Sequence, residues 1–176
     1  MIGSWLKSNY LAGLKVGPMN NWQSGLRLVP VYAVLAGAIG FGSGMFQVQF
    51  LTGTPLLYLP ITLFLMPSFL EESFFRGILI PNDAVERGRA KAWTYILIST
   101  AAFVLWHPLN ALLYNHAAAS FFFNPWFLLT ATLLGLTCGY SYVHSRSLWQ
   151  PILIHWLTVV VWVIFLGGRN MILDSP

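Results

Sequence analysis

Two adjacent carboxylates, one guanidinium and two histidines are the residues of this chain whose types and spacing could do chemistry. Glu71, Glu72 and Arg76 fall within six positions near the end of a long apolar run, in the stretch Pro67-Ser68-Phe69-Leu70-Glu71-Glu72-Ser73-Phe74-Phe75-Arg76-Gly77. The whole protein has five acidic residues, and two of them stand side by side here. A charge at the centre of a bilayer costs roughly 2.5–3.5 kcal/mol on insertion scales, so a polar group in such a run is read first as functional. Glu72 and Arg76 are four apart, one turn above each other on one helix face, and can pair. That pairing lets both enter an apolar setting without a bare charge. Glu71 is turned by about 100° from Glu72 and lies five positions from Arg76. It is the carboxylate beside the charge pair but not capped by it, and so the candidate general base. The competing structural reading is a buried ion-pair cluster that only fixes helix packing.

The histidines come from two other apolar runs. Phe103 and His107 are four apart and share a face, with Pro108 distorting the helix just after and Asn110 a little further on. His155 stands about two turns into the last run, with Thr158 and Val159 as its i+3 and i+4 neighbours. A single histidine in an apolar helix is often only a packing residue. Together with Glu71 the two gain a purpose. Amide hydrolysis without a nucleophilic side chain needs a base for water, a donor at the developing oxyanion and a proton source for the leaving amine. One glutamate and two histidines supply all three. His116 and His144 fall at the ends of runs and read as interfacial. Cys138 is alone, so neither a disulfide nor a thiolate metal site can be built within one chain, and it reads as a small packing residue.

The elements that must position these groups are membrane helices. Of 176 residues 57% are hydrophobic and only 8% charged, against a usual charged share of about 25%. This composition implies an integral membrane protein of one domain. The net charge of +4 is scattered beside apolar runs, where it reads as a topology signal and not as a nucleic-acid surface. Five uncharged or nearly uncharged runs, 28–50, 55–80, 92–114, 125–143 and 148–166, predict an all-α polytopic bundle of five spans, each of the order needed to cross about 30 Å of hydrocarbon. Residues 1–27, with Trp5, Trp22, Lys7 and Lys15, predict short interfacial pieces broken by Gly13, Gly17 and Pro18. No cleavable signal peptide is expected. Gly40 and Gly44, in G-x-x-x-G spacing, predict close helix packing, and Pro60 and Pro67 predict bends in the second span. The transmembrane domain is expected over 28–168, with a catalytic core over 55–166 and a short tail over 169–176.

Lys7, Lys15 and Arg27 precede span one, Arg87, Arg89 and Lys91 lie between spans two and three, and Arg146 lies between four and five. A cytoplasmic N-terminus satisfies the positive-inside rule and leaves only Arg169 on the far side. Helical rise then places Glu71 roughly 14 Å, His155 roughly 11 Å and His107 roughly 22 Å from the cytoplasmic ends of their spans. A shared cavity in the cytoplasmic half is the expectation.

The set Glu71-Glu72-x-x-x-Arg76, then Phe103-x-x-x-His107, then His155 on a late helix resembles the CAAX protease and bacteriocin-processing (CPBP, or Abi) family. These are intramembrane glutamic proteases that include the Ras-converting enzyme type, and the resemblance covers residues 55–166. It implies that Glu71 and His107 hold and activate a water for attack on a peptide carbonyl, and that His155 stabilises the oxyanion. Glu72 and Arg76 would keep the constellation in place, with Phe103, Asn110 and Thr158 in support and no cofactor. The family's third motif usually continues to Asn or Asp four residues after the histidine, where this chain has Val159. Thr158 is the nearest hydroxyl that could replace it, and loss of one oxyanion donor typically costs about 10²–10³ in rate. The expected partner is a membrane-associated peptide or protein in the lipid bilayer, not a nucleic acid. The expected location is a prokaryotic plasma membrane, with the active site toward the cytoplasmic half. Two other readings compete. Glu71, His107 and His155 could be the ligands of a zinc protease, although H-E-x-x-H is absent. The chain could also be a non-catalytic membrane partner or immunity protein that keeps the fold. Substrate identity, its prenylation and the oligomeric state stay open.

Overall fold

In hydrocarbon every backbone N–H and C=O must find its partner within the protein, and a helix satisfies them within one segment. The apolar runs of this chain fold accordingly. The computed structural model describes residues 2–168; Arg169, Asp174 and the rest of the tail lie outside the described residues. The helices in order are α1 (Ile2–Lys15), α2 (Trp22–Gly25), α3 (Val29–Gly42) and α4 (Pro55–Leu63). A π-helical turn (Phe64–Phe69), α5 (Leu70–Glu72) and a second π-helical turn (Ser73–Ile78) continue α4 to form one composite glutamate helix. Then come α6 (Arg89–Leu113), a short 3-10 turn (His116–Ala118), α7 (Ala119–Phe122), α8 (Pro125–Ser145) and α9 (Trp149–Phe165). Among the described residues there is no strand, only an isolated bridge between Gln49 and Leu166. The stretches Trp22–Gly42, Arg89–Leu113 and Pro125–Ser145 are long and apolar enough to cross a membrane, and Trp149–Phe165 is a shorter apolar helix.

Helix α8 is the centre of the bundle, packed against α2, α3, α6 and α9. Small residues on it make this possible. A Cβ on Gly135 would stand 2.9 Å from Thr100 Cγ2, and one on Gly139 would stand 3.0 Å from Ile96, so α6 lies directly on the α8 backbone. The α8 face toward α3 and the glutamate helix shares a buried cluster with Tyr32, Phe75, Phe103 and Ile154. A second cluster, with Ile80, Ile96, Tyr142, Leu148 and Ile152, closes the end where the charged loops meet.

Three expectations are corrected. The first span was expected to run over 28–50, but α3 ends at Gly42. Glycines at 40, 42 and 44 each cost helix roughly 1 kcal/mol relative to alanine, and Gly44 takes φ +77°, a left-handed turn. The chain beyond is extended, and its amides satisfy the last carbonyls of α9: Gln49 N–H donates to Phe165 O at 3.0 Å and Leu51 N–H to Ile164 O at 2.8 Å. These are carbonyls that a helix end cannot pair for itself. The glycine pair at 40 and 44 serves no helix–helix contact either. The Phe46 ring lies where a Gly40 Cβ would be, and nothing stands within 4 Å of Gly44. At the N-terminus the segment breaks around Gly17 and Pro18, as expected, but not at Gly13: α1 is one 14-residue helix, and the short α2 follows the turn. Gly13 does not break it, because that position faces the Tyr142 ring at 3.1 Å and its carbonyl receives the Leu148 N–H at 2.9 Å.

The bend expected at Pro67 is present. Met66, with φ −137° and ψ 118°, leaves helical geometry, as the residue before a proline is sterically driven to do. Trp156 of α9 donates its indole N–H to Pro60 O at 2.8 Å and ties the lead-in of the glutamate helix to the last one. At the other end of that helix, Asn9 of α1 donates to Gly77 O at 2.9 Å and Ile80 O at 3.0 Å and accepts from the Asn82 amide at 2.7 Å. Asn82 also donates to Arg146 O at 2.9 Å. Arg146 pairs with Glu86, and the Arg87 guanidinium, 2.8 Å from Asp83, holds that carboxyl below the ordinary carboxylate range. Helix α1, the 81–88 loop and the 146–148 turn therefore share one end of the bundle. The 47–51 segment and the end of α9 share the other.

Candidate active site

Helical period brings Glu72 and Arg76 together, and tertiary packing then buries both completely. Arg76 Nε lies 3.1 Å from Glu72 Oε2, an ion-pair contact off the hydrogen-bond axis. A second guanidinium nitrogen donates to Gly135 O of α8 at 3.1 Å, reaching a carbonyl that no Cβ screens. The guanidinium carbon stands 4.7 Å from the centre of the Phe103 ring, where a cation is attracted to the ring face. One charged side chain thus joins the glutamate helix to α8 and α6.

The other Glu72 oxygen engages α9. His155 Nδ1 lies 2.8 Å from Glu72 Oε1. A carboxylate only accepts, so Nδ1 carries the proton and Nε2 is the free nitrogen. That nitrogen faces the second glutamate, 4.0 Å from Glu71 Oε2. Glu71 itself is held at its other oxygen, where the Trp106 indole donates at 3.2 Å. Glu71 Oε2 is buried and has no hydrogen-bond partner. The neighbouring carboxylates, rotated apart by one helical step, have different fates. Glu72 is bound to Arg76 and His155, whereas Glu71 keeps one oxygen uncommitted.

His107 of α6 follows the same logic. Its Nδ1 lies 2.9 Å from Phe103 O, and a carbonyl only accepts, so Nδ1 again carries the proton and Nε2 the lone pair. Phe103 spaces the two imidazoles. Its ring is 4.9 Å from His107 and 5.6 Å from His155, edge to face in both cases. Phe122 and Phe127 close on His107 from the other side at 5.4 and 5.0 Å.

These groups open on one cavity of about 820 Å³, lined by Glu71, His107 and His155 among apolar side chains. The volume falls in the range of small-ligand sites, roughly 300–1,000 Å³. Asn110, Thr158 and Val159 also line it. Thr158 Oγ donates to Ile154 O of its own helix at 2.8 Å, so its proton is turned away from the cavity. Of the lining residues, Met66, Leu70, Phe74, Leu105 and Leu109 are exposed on the outside of the bundle. The mouth therefore lies between the glutamate helix and α6. Among the described residues, no group of three His, Cys, Asp or Glu side chains is placed to hold a metal ion.

Two polar groups of the cavity had gone unread in the sequence. Trp106 stands next to His107 and is rotated from it by one helical step, a placement that gives no sign of a bond to Glu71. Tyr32 of α3 lines the same wall and donates its hydroxyl to Thr158 Oγ at 3.3 Å. The one signal was a lone tyrosine in the apolar run 28–50. His116 is exposed, and His144 stacks on Tyr140 at 3.9 Å, away from this constellation.

A family model described as type II CAAX prenyl endopeptidase Rce1-like matches residues 52–161, well over half of the chain. The match spans Glu71, Glu72, Arg76, Phe103, His107 and His155 and leaves α1 to α3 outside. No curated protein and no solved structure matches the chain.

Proposed function

We propose a mechanism from one premise: this chain belongs to the Rce1-like family of type II CAAX prenyl endopeptidases and is an integral membrane protein. Membership implies a hydrolase that cuts peptide bonds at the membrane. The finer reading is that Glu71 activates the attacking water. What supports it most is the uncommitted Glu71 Oε2, buried in the cavity wall and 4.0 Å from His155 Nε2. With its proton on Nδ1, a neutral His155 turns a lone pair toward a carboxylate oxygen. A water donating to both reconciles them, and a spacing of this size is one that a water spans.

In the proposed reaction the Glu71 carboxylate takes a proton from this water while its oxygen forms a bond to the scissile carbonyl carbon. His155 Nε2 accepts the water's other hydrogen and orients it, with His107 lining the same cavity. The tetrahedral oxyanion collapses, the C–N bond breaks, and the proton held by Glu71 passes to the leaving amine. The products are a carboxylic acid and an amine, between which the remaining water proton moves to leave a carboxylate and an ammonium, and Glu71 is returned to its starting state. Glu72 acts through His155, fixing its tautomer and its direction. No metal takes part in this scheme. Cleavage is therefore expected to survive treatment with a strong zinc chelator, and loss of activity restored by added zinc would replace this mechanism with a metal-dependent one.

The substrate reading follows from the cavity wall. A prenyl chain on a C-terminal peptide suits an apolar cavity whose mouth opens between two lipid-facing helices. Entry is sideways from the bilayer, and the active site lies in the cytoplasmic half. The first test compares protein termini in membranes of cells carrying the wild type or Glu71→Gln. New termini are expected only with the wild type. Identical termini, with the variant folded and equally expressed, would overturn the reading in favour of a non-catalytic membrane partner.

A further inference from the structure

The oxyanion of this reaction needs a donor whose proton is always present. Neither imidazole meets that need in its neutral form, because each has its proton on Nδ1, directed at Glu72 or at Phe103 O. Three neutral donors of the cavity are also committed. Trp106 is bound to Glu71, and Thr130 and Thr158 donate to carbonyls of their own helices. The Trp162 indole has no partner, but it lies two turns along α9 from His155, about 10 Å at helical rise.

Tyr32 differs from all of these. Its ring is buried and packs with Phe75, Phe103 and Ile154. Its hydroxyl ends in the cavity, against the turn of α9 that follows His155. The hydroxyl makes one hydrogen bond, to Thr158 Oγ at 3.3 Å, and it must be the donor there because Thr158 gives its own proton to Ile154. That length is well beyond the usual O–H···O optimum of about 2.7–2.8 Å. A weak bond to a neutral oxygen is readily exchanged for one to an anion, and charge-assisted hydrogen bonds are about twice as strong as neutral ones.

Resting on the glutamate mechanism above, we infer that the Tyr32 hydroxyl, supplied by α3 from outside the family-matching segment, donates to the tetrahedral oxyanion. It takes the place that Val159, an apolar residue one turn after His155, leaves empty of donors. No covalent step is added: the O–H bond of Tyr32 stays intact and only its acceptor changes.

The test uses the full chain in detergent or proteoliposomes. The probe is an internally quenched peptide ending in S-farnesylcysteine followed by three residues. With wild type active and Glu71→Gln inactive, Tyr32→Phe is expected to lower kcat about 10²–10³-fold with little change in KM, the pattern of an interaction made only in the transition state. Thermal stability should stay near that of wild type. Val159→Asn, placed in the Tyr32→Phe background, should recover part of kcat, which a packing role would not allow. A Tyr32→Phe enzyme with kcat near wild type, or one impaired only in KM or stability, overturns the inference and leaves the glutamate mechanism standing. A wild type that cleaves nothing overturns both. Should Tyr32→Phe fail to fold, 3,5-difluorotyrosine at position 32 keeps the ring and hydroxyl but acidifies the phenol. The alkaline limb of kcat must then move to lower pH, and an unmoved limb overturns the role.

Discussion

A carboxylate acts on water only if no cation has already claimed it. Glu71 and Glu72 differ in nothing but one helical step, yet Glu72 accepts from His155 at 2.8 Å and pairs with Arg76, while Glu71 accepts from the Trp106 indole and stands 4.0 Å from His155 Nε2. We propose that this indole is a positioning residue. It fixes one oxygen so that the other points at His155. Hydrogen bonds to charged groups are worth about 1.5–3 kcal/mol, and part of that holds the Glu71 carboxylate in place. Trp106→Phe, which keeps a ring and deletes the donor, is expected to lower kcat about tenfold or more with KM nearly unchanged. Steady-state kinetics on the quenched farnesyl peptide measure this directly. A change confined to KM would assign Trp106 to substrate packing instead.

At the scale of the element, the glutamate helix is held at its middle and at its end by different devices. The middle is the fully buried Glu72–Arg76 pair, which also engages Gly135 O and His155. Breaking a buried pair by removing one partner leaves an uncompensated charge and costs about 3–5 kcal/mol. Arg76→Met should therefore sharply lower the unfolding midpoint in detergent. The double replacement Glu72→Gln with Arg76→Met should cost less than the sum of the singles, since neither charge is then left alone. Additive losses would show that the two do not act as a pair. The end of the helix is clamped by Asn9, with three hydrogen bonds to residues 77–82. Asn9→Ala orphans carbonyls of Gly77 and Ile80 at about 1–3 kcal/mol for unsatisfied buried groups. It should lower stability and raise hydrogen exchange at 78–84 before it affects kcat. A stability equal to wild type would show that the clamp is not needed.

For the molecule as a whole, the chain ends and loops sort into two groups. Helix α1, the 81–88 loop and the 146–148 turn touch at one end, and 47–51 meets the end of α9 at the other. We propose five crossings with the first group in the cytoplasm, which puts the basic loops inside. Single cysteines at exposed positions 87 and 52 test it in inverted and right-side-out vesicles, the buried Cys138 serving as an unreactive internal control. Arg87→Cys should label only from the cytoplasmic face and Thr52→Cys only from the other. Labelling of both from one face would remove a crossing between them.

By itself the sequence determined the class of molecule and the pieces of its chemistry. Charged residues are so scarce that three within six positions of an apolar run must be paired or functional, and an i,i+4 spacing puts Glu72 on Arg76, as found at 3.1 Å. Such statements need only residue type and the 3.6-residue period, both local properties. The bonds that complete the site lie across the chain, with Trp106 on Glu71, His155 on Glu72 and Tyr32 on Thr158 separated by 35, 83 and 126 residues. They depend on how each helix is rotated and where it crosses its neighbour. That is decided by packing on the small residues of α8, by the bend at Met66 and by the early end of α3, and no periodicity within one helix encodes any of these. Which imidazole nitrogen faces the cavity, which glutamate keeps a free oxygen and which hydroxyl meets Thr158 were therefore decided only by the tertiary structure.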